Sequence, residues 1–177
     1  MQILIFILSL IVVALAFLLL VASRKPNVFR LERSVTIKAP PAAIAAHITD
    51  FHHWTSWSPW EKIDPTMTRA YSGAASGVGA VYDWTGTGKA GTGRMEIKAV
   101  TPAEVVVIAL DFFKPFKANN TAEFTFVPQG DETTVVWAMY GPAPFHTKVL
   151  HTLFNMDALV GKDFAAGLTS LKKISEA

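Results

Sequence analysis

Four side chains in this 177-residue sequence have the chemistry to transfer a proton at a binding site: His47, Glu61, Tyr82 and Asp157. A general acid or base must lie within about 3 Å of the proton that it moves. The spacing of these residues along the chain brings no two of them together, so catalysis stays open. The candidate catalytic residues are His47, Asp157 and Glu61, although a satisfied, partly buried histidine is the commoner role for a residue such as His47.

The sequence contains neither a metal-ligand pattern nor a convincing nucleotide-binding loop. His52 and His53 are adjacent and point apart, and His146 and His151 diverge on a helix. Residues 86–91, GTGKAG, match the glycines of a dinucleotide-binding loop, which needs a helix behind it to bind the pyrophosphate. A strand-like alternation follows at residues 94–99, so these glycines favour a hairpin. We expect no metal and no cofactor.

The segment Ile3 to Ala22 is apolar apart from one serine, and Arg24, Lys25 and Pro26 follow it closely. At ~1.5 Å per residue it reaches about 30 Å, the thickness of the hydrocarbon core of a bilayer. The alternative is a cleaved signal peptide, because Val21-Ala22-Ser23 offers small residues to a peptidase. We predict a transmembrane anchor over residues 1–26 and a single-pass membrane protein, with the basic pair favouring a cytoplasmic soluble domain.

The remaining residues, 27–177, are enough for a single domain with a real core. The net charge of +2, from 16 basic and 14 acidic residues, gives no basic face. A nucleic-acid partner is therefore not expected. The absence of cysteine rules out disulfide and thiol chemistry.

Alternating apolar and polar residues predict a strand over residues 28–38, and Pro41 then suits the first turn of a short helix. Asp50 is the expected N-cap of a second short helical segment over residues 51–57. Six β-favouring stretches follow and predict an antiparallel meander: residues 66–72, 80–84, 93–100, 104–112, 118–127 and 133–140. From Pro144 onward, apolar residues recur every three or four positions and predict one amphipathic helix of about eight turns.

Three stretches carry a family resemblance: ERSVTIKAPP at residues 32–41, DFHHWTSWSPW at 50–60 and GKDFAAGL at 161–168. Together with the order of elements, they make residues 28–174 resemble the START-like (SRPBCC) superfamily, polyketide cyclase/dehydrase-like branch. The resemblance implies an α+β helix-grip fold, in which a curved antiparallel sheet wraps around a long C-terminal helix. It also implies a cavity between sheet and helix that accepts apolar ligands.

Residues of three kinds are expected at this cavity. Trp54, Trp57 and Trp60 stand beside its implied entrance, either as an aromatic gate or as core residues that pack the short helix on the sheet. Strand residues predicted to line it are Tyr82, Trp84, Met95, Ile97, Val107, Phe124, Trp137 and Met139. The predicted ligand-binding set comprises these residues except Ile97, together with Trp57, Trp60, Phe154, Asp157 and Gly161.

Gly161 and Asp157 lie beside the apolar stripe of the predicted C-terminal helix. A glycine costs about 1 kcal/mol relative to alanine inside a helix, so its missing side chain leaves room either for a ligand or for close strand packing. Asp157 would have a raised pKa in an apolar environment unless it is paired. Arg33, in the inward phase of the first strand, is the natural partner; alternatively, it reaches water at the cavity rim.

Three functions are compatible with these features. The first is a membrane-anchored binding or carrier domain for a hydrophobic small molecule or lipid. The second is a cyclase or dehydratase that acts on an aromatic or polyketide-like substrate. The third is a non-catalytic protein-interaction scaffold, which a filled interior would favour over a cavity of about 300 Å³ or more. The sequence leaves the oligomeric state open.

Overall fold

A seven-stranded antiparallel sheet is the main layer of the computed structural model, which describes residues 1–64, 66–88 and 90–177. The helices are α1 (Gln2–Ser23), α2 (Pro41–Thr49), α3 (Trp54–Trp57), α4 (Phe145–Leu153) and α5 (Met156–Ser175), and the strands are β1 (Val28–Ile37), β2 (Thr68–Gly73), β3 (Ala80–Thr85), β4 (Thr92–Thr101), β5 (Val105–Lys114), β6 (Ala118–Gln129) and β7 (Glu132–Pro142). Short 3₁₀ turns at Phe51–His53 and Pro59–Lys62 flank α3. The predicted α+β helix-grip fold is confirmed.

The strand order in the sheet is β1-β7-β6-β5-β4-β3-β2. The strands from β2 to β7 form the predicted meander, and β1 closes the edge by pairing with β7 from Val28 opposite Pro142 to Ile37 opposite Thr133. Because all neighbouring strands are antiparallel, the start of one strand and the end of the next lie at the same end of the sheet. We call the end at which the chain enters β1 from α1 the α1 end of the sheet. It contains Val28, Thr85, Thr92, Lys114, Ala118 and Pro142.

A tryptophan cluster joins the sheet to α3 and α5. The Trp137 ring on β7 stacks on Phe164 of α5, with ring centroids 4.2 Å apart, and on Phe124 of β6 at 4.9 Å. Trp57 and Trp60 each meet the Trp137 ring edge-on at 5.4 Å. Such aromatic pairs contribute beyond the area that they bury, so this cluster fixes where α5 lies on the sheet.

The α2–α3 segment is held by its own polar groups. Asp50 accepts a hydrogen bond from the backbone N–H of His52 at 2.9 Å, as its predicted N-cap role requires. The indole N–H groups of Trp54 and Trp57 donate to the backbone carbonyls of Ile48 and His47. Since both donors are satisfied within this segment, the two large rings can be buried without leaving a polar atom unpaired.

The predicted single C-terminal helix is wrong: the chain breaks it into α4 and α5 at Phe154 and Asn155. Phe154 adopts an extended conformation, with φ −119° and ψ 135°. The Asn155 side chain then accepts a hydrogen bond from the backbone N–H of Ala158 at 3.0 Å and begins α5. Asparagine is among the strongest N-cap residues. The apolar repeat continues through this position, so periodicity alone does not reveal that a new helix begins here.

The N-terminal helix α1 has 22 residues and an apolar window of mean hydropathy 3.4, none of which is buried against the rest of the protein. Its length and composition suit a membrane span or a signal sequence. At its end, Ala22 is fully buried and α1 packs against α4. The Lys25 ammonium also donates a hydrogen bond to the backbone carbonyl of His151 at 2.6 Å. The end of α1 is therefore joined to the folded domain at α4.

We predict that Phe164→Ala lowers the free energy of unfolding by about 3–5 kcal/mol, because it removes a buried ring from the tryptophan cluster and leaves a void. Urea unfolding followed by tryptophan fluorescence measures this loss. Lys162→Ala, on the exposed face of the same helix, is the control and should change stability by less than about 0.5 kcal/mol. Equal stability of the two variants would contradict the proposed role of the cluster.

Candidate functional site

A cavity of about 410 Å³ lies between the concave face of the sheet and the helices α4 and α5. Most of its lining side chains are apolar. Several of them, including Phe29, Phe112, Phe116 and Pro142, belong to the α1 end of the sheet. This volume is in the range of small-molecule sites. The scaffold hypothesis requires an interior that is filled by its own side chains, and the cavity shows that it is not filled.

The cavity lining includes half of the predicted ligand-binding residues. These are Trp60, Tyr82, Trp84, Met95, Trp137 and Met139. Trp54, considered as a possible gate residue, also lines it and is otherwise buried. Strand alternation is the reason for the agreement, because it assigns each of these strand residues to the concave face.

Four strand and helix residues predicted near the cavity do not line it. Trp57, Ile97 and Phe124 are fully buried in the packed core instead. Val107 lies on the convex face, because its neighbours Val106 and Ile108 are the fully buried residues of β5. For Val107 the prediction assigned the wrong phase of the strand.

The predicted stripe of Phe154, Asp157 and Gly161 also lies outside the cavity. Phe154 is 54% exposed beside the helix break. The Asp157 side chain is 63% exposed and forms a bidentate pair with the Arg33 guanidinium, at 2.9 and 3.0 Å. A Cβ atom on Gly161 would collide with the Arg33 guanidinium. The missing side chain of Gly161 therefore makes room for an arginine and not for a ligand.

The pairing with Arg33 also favours the ionised form of the Asp157 carboxyl. Hydrogen bonds from the Arg33 guanidinium hold the pKa of the Asp157 carboxyl below its usual range. Arg33 donates in addition to the backbone carbonyl of Asp157, in the first turn of α5. Asp157 is thus a structural partner that joins β1 to α5, and its place at the surface does not support a catalytic role.

Glu61 and Tyr82 form a hydrogen-bonded pair in the cavity wall. The Glu61 side chain is only 6% exposed and accepts hydrogen bonds from the Tyr82 hydroxyl at 2.7 Å and from Arg69 Nε at 2.6 Å. Burial, followed by the hydrogen bond to Glu61, raises the pKa of Tyr82, so the phenol stays protonated at neutral pH. A carboxylate oxygen can accept more than one hydrogen bond.

The histidines occupy different environments. His47, a predicted catalytic candidate, lies on α2 outside the cavity lining, where burial and the neighbouring His53 lower its pKa. His151 on α4 does line the cavity and meets the Phe29 ring edge-on at 5.5 Å. Burial and the nearby Lys25 lower the pKa of His151, which favours a neutral imidazole.

Sequence reasoning missed His151 and several strand residues of the lining. Thr147 and His151 are four residues apart and share one face of α4, which is a readable signal once the helix is known to break. The others are in the inward phases of β5 and β6: Leu110, Phe112, Ala118, Asn120 and Ala122. They lie at every second position from the core residues Ile108 and Phe124, and this spacing indicates that they face the same side of the sheet.

The glycine loop after β3 is a hairpin, as the alternation behind it predicted. The backbone N–H of Gly86 donates to the carbonyl of Gly91 at 2.7 Å, and β4 begins directly afterwards. A Cβ atom on Gly91, whose φ is +60°, would collide with the backbone of Lys114. Within residues 1–64, 66–88 and 90–177, no three His, Asp or Glu side chains are grouped closely enough to hold a metal ion.

Asp64 fixes this hairpin beside the cavity. Its buried carboxylate accepts hydrogen bonds from the backbone N–H and hydroxyl of Thr66, at 2.9 and 2.6 Å, and from the same groups of Thr87, at 2.7 and 3.0 Å. The Thr66 hydroxyl and the Thr87 N–H lead these contacts, which hold the pKa of Asp64 well below its usual range. The neighbouring Met67 and Ala90 line the cavity.

We predict that Asp64→Asn lowers the free energy of unfolding at neutral pH. We also expect this free energy to depend less on pH in the acid range than it does in the wild type. Because the folded-state pKa of Asp64 is depressed, its stabilisation is present above the ordinary aspartate pKa of about 3.9 and is lost as the pH falls through the folded value. Urea unfolding over a pH series from neutral to strongly acidic measures the slope. Asp131→Asn, at an exposed turn, is the control and should keep the wild-type slope. A wild-type slope in Asp64→Asn would contradict this role.

The chain also matches a known protein family. Residues 28–176 match the family model described as polyketide cyclase / dehydrase and lipid transport. No curated protein matches the chain.

Solved structures share the fold at low sequence identity. A solution NMR structure from Thermobifida fusca is 22% identical, with a TM-score of 0.58, and the match covers 82% of this chain and 92% of that one. The Aha1 dimer from Colwellia psychrerythraea is 16% identical, with a TM-score of 0.58 and coverage of 84% and 96%. The di-domain ARO/CYC StfQ of the steffimycin biosynthetic pathway is 13% identical, with a TM-score of 0.61 and coverage of 85% and 51%. The family model, which spans almost the whole region after α1, shows that the chain belongs to the polyketide cyclase / dehydrase and lipid transport family.

Proposed function

We propose that this protein is a membrane-anchored binding or carrier domain for a hydrophobic small molecule or lipid. The observation that carries the proposal is the cavity of about 410 Å³ with mainly apolar walls. A mainly apolar cavity of this size favours an apolar occupant, because most of its wall offers water no hydrogen-bond partner. The family description, which includes lipid transport, supports the same class of ligand.

The side chains of the lining suit a flexible ligand. Met67, Met95, Met139 and Met156 all contribute to the wall. Methionine has three rotatable bonds and a polarisable sulfur, so it can follow the shape of different apolar molecules. The Glu61 carboxylate in the wall offers one place where a hydroxyl or amine donor of the ligand could be recognised.

The anchor in this proposal consists of residues 1–26, and residues 27–177 form the binding domain. Helix α1 supports it by length and hydropathy. Arg24 and Lys25 behind α1 favour a cytoplasmic position for the domain. Tethering a cavity next to a bilayer raises the effective concentration of any molecule that partitions into that bilayer.

A cavity-filling variant tests the binding function. Ala122 lines the cavity from β6, so Ala122→Phe places a ring in the ligand space. We expect native mass spectrometry of the full chain, released from detergent micelles, to detect a copurified apolar molecule in the wild type and not in Ala122→Phe. The affinity for the neutral probe N-phenyl-1-naphthylamine should fall at least about tenfold, or ~1.4 kcal/mol.

The control is Ala99→Phe, which adds the same ring to the exposed face of β4 and should bind like the wild type. Loss of binding in both variants would indicate a general loss of structure, which far-ultraviolet circular dichroism would reveal. The absence of any copurified molecule and of any probe binding in the wild type would overturn the binding function.

A second candidate is an enzyme that cyclises or dehydrates a polyketide-like substrate. The observation that favours it is the buried Glu61 carboxylate in the cavity wall, positioned by Tyr82 and Arg69. A carboxylate held in an apolar wall can accept a proton from a carbon between two carbonyl groups, after which that carbon attacks another carbonyl. The family description includes cyclase and dehydrase, and StfQ is an ARO/CYC protein.

We predict for this candidate that Glu61→Gln lowers the rate of cyclisation of a synthetic poly-β-ketone thioester by about 10²–10⁴-fold, the contribution typical of a general base. Product formation is followed by mass spectrometry. Glu96→Gln, on the convex face of β4, serves as the control with an unchanged rate. If the wild type forms no cyclised product, or Glu61→Gln is as fast as the wild type, the enzymatic candidate is rejected.

A further inference from the structure

We propose that residues 113–117 dock on the membrane surface beside α1 and open the cavity directly to the bilayer. This segment comprises the last two residues of β5 and the three residues before β6, and we call it the β5–β6 turn. The occupant of this surface is a bilayer that contains anionic lipid. The inference rests on the proposed function, because it adds a route for the hydrophobic ligand to the anchored cavity. It follows from the topology of the sheet, the composition of the turn and the short connection to α1.

The connection between anchor and domain determines which surface faces the membrane. Only residues 24–27 separate α1 from β1. Four extended residues reach about 14 Å at ~3.5 Å each, and the Lys25–His151 hydrogen bond shortens the free length further. The α1 end of the sheet therefore cannot move far from the membrane that α1 enters. A partner protein would have to fit into this narrow space, which favours the bilayer itself.

The β5–β6 turn lies at the α1 end and has the composition of a membrane-interface segment. Its sequence is Phe113-Lys114-Pro115-Phe116-Lys117, and all five residues are exposed. Phe116 is 77% exposed although it is a large aromatic residue. Aromatic rings that alternate with lysines suit a headgroup region, where the rings enter the acyl boundary and the ammonium groups stay with anionic phosphates.

Phe116 also lines the cavity. A residue that is both cavity wall and mostly exposed must stand at the mouth. If the turn docks, hydrocarbon replaces water at this mouth, and a bound apolar molecule can leave without crossing the aqueous phase. The energetic benefit follows from the hydrophobic effect, because neither the ligand nor the Phe116 ring is then exposed to water.

The α4–α5 junction supplies a second apolar contact to the same membrane surface. Leu153 and Phe154 are both more than half exposed, and they border an outer groove next to Lys25. The wall between this groove and the cavity is shared, since His151 and Met156 line both. Two separate exposed apolar surfaces, one on the turn and one at this junction beside Lys25, are therefore available to the membrane.

Labelling at single cysteines tests the docking, because the native chain contains no cysteine. Phe116→Cys and Gln129→Cys are each coupled to the fluorophore NBD, and the full chain is reconstituted in phosphatidylcholine vesicles with phosphatidylglycerol and a spin-labelled quencher lipid. Gln129 is the last residue of β6, at the opposite end of the sheet. We expect strong quenching of the label at residue 116 and little at residue 129. Equal quenching at both positions would overturn the proposal.

A charge variant tests whether docking serves ligand exchange. Lys114→Glu combined with Lys117→Glu should reduce the quenching at residue 116 and slow the transfer of bound N-phenyl-1-naphthylamine to vesicles by about tenfold, if docking controls the rate. Lys98→Glu combined with Lys173→Glu gives the same charge change outside the turn and should leave both measurements unchanged. Wild-type transfer in the turn variant would overturn the proposed exchange route. No probe binding by any variant or by the wild type would instead reject the proposed binding function, independently of the quenching result.

Discussion

The tryptophan cluster around Trp137 is the contact on which both the fold and the cavity depend. It fixes α5 to the sheet where the Phe164 ring stacks on Trp137, and it brings α3 to the same place through Trp57. Gly167 permits this approach, because a Cβ atom there would lie 2.8 Å from the Trp137 ring. Towards the α1 end, rings such as Phe29, Phe112 and Phe116 line the interior without filling it, and the cavity of about 410 Å³ remains.

Polar contacts join the elements that surround the open space. Arg33 and Asp157 join β1 to the first turn of α5 by a bidentate pair. Asp64 fixes the β3–β4 hairpin through two threonines.

The same arrangement places part of the cavity lining and the end of α1 at one end of the sheet. Antiparallel pairing sends the start of β1 and the turns after β3 and β5 to a common end of the sheet. Residues next to these turns line the cavity, and α1 reaches the domain at this end through a connection of only four residues. An apolar cavity placed next to an apolar helix suits molecules that are poorly soluble in water, which is the class of ligand we propose.

The sequence by itself determined the types and order of the elements, because side-chain alternation and helical periodicity are local properties of the chain. It also placed Arg33 in the inward phase of β1 and Tyr82, Met95 and Met139 on the concave face. The break before α5 is a local N-cap by Asn155 that periodicity alone does not reveal. Only the tertiary structure decided that Gly161 makes room for Arg33, and that Phe124 lies in the core while Ala122 borders the cavity. Periodicity assigns a residue to a face, but the distance across the interior depends on how several elements pack at once, and that distance separates a filled core from a ligand site.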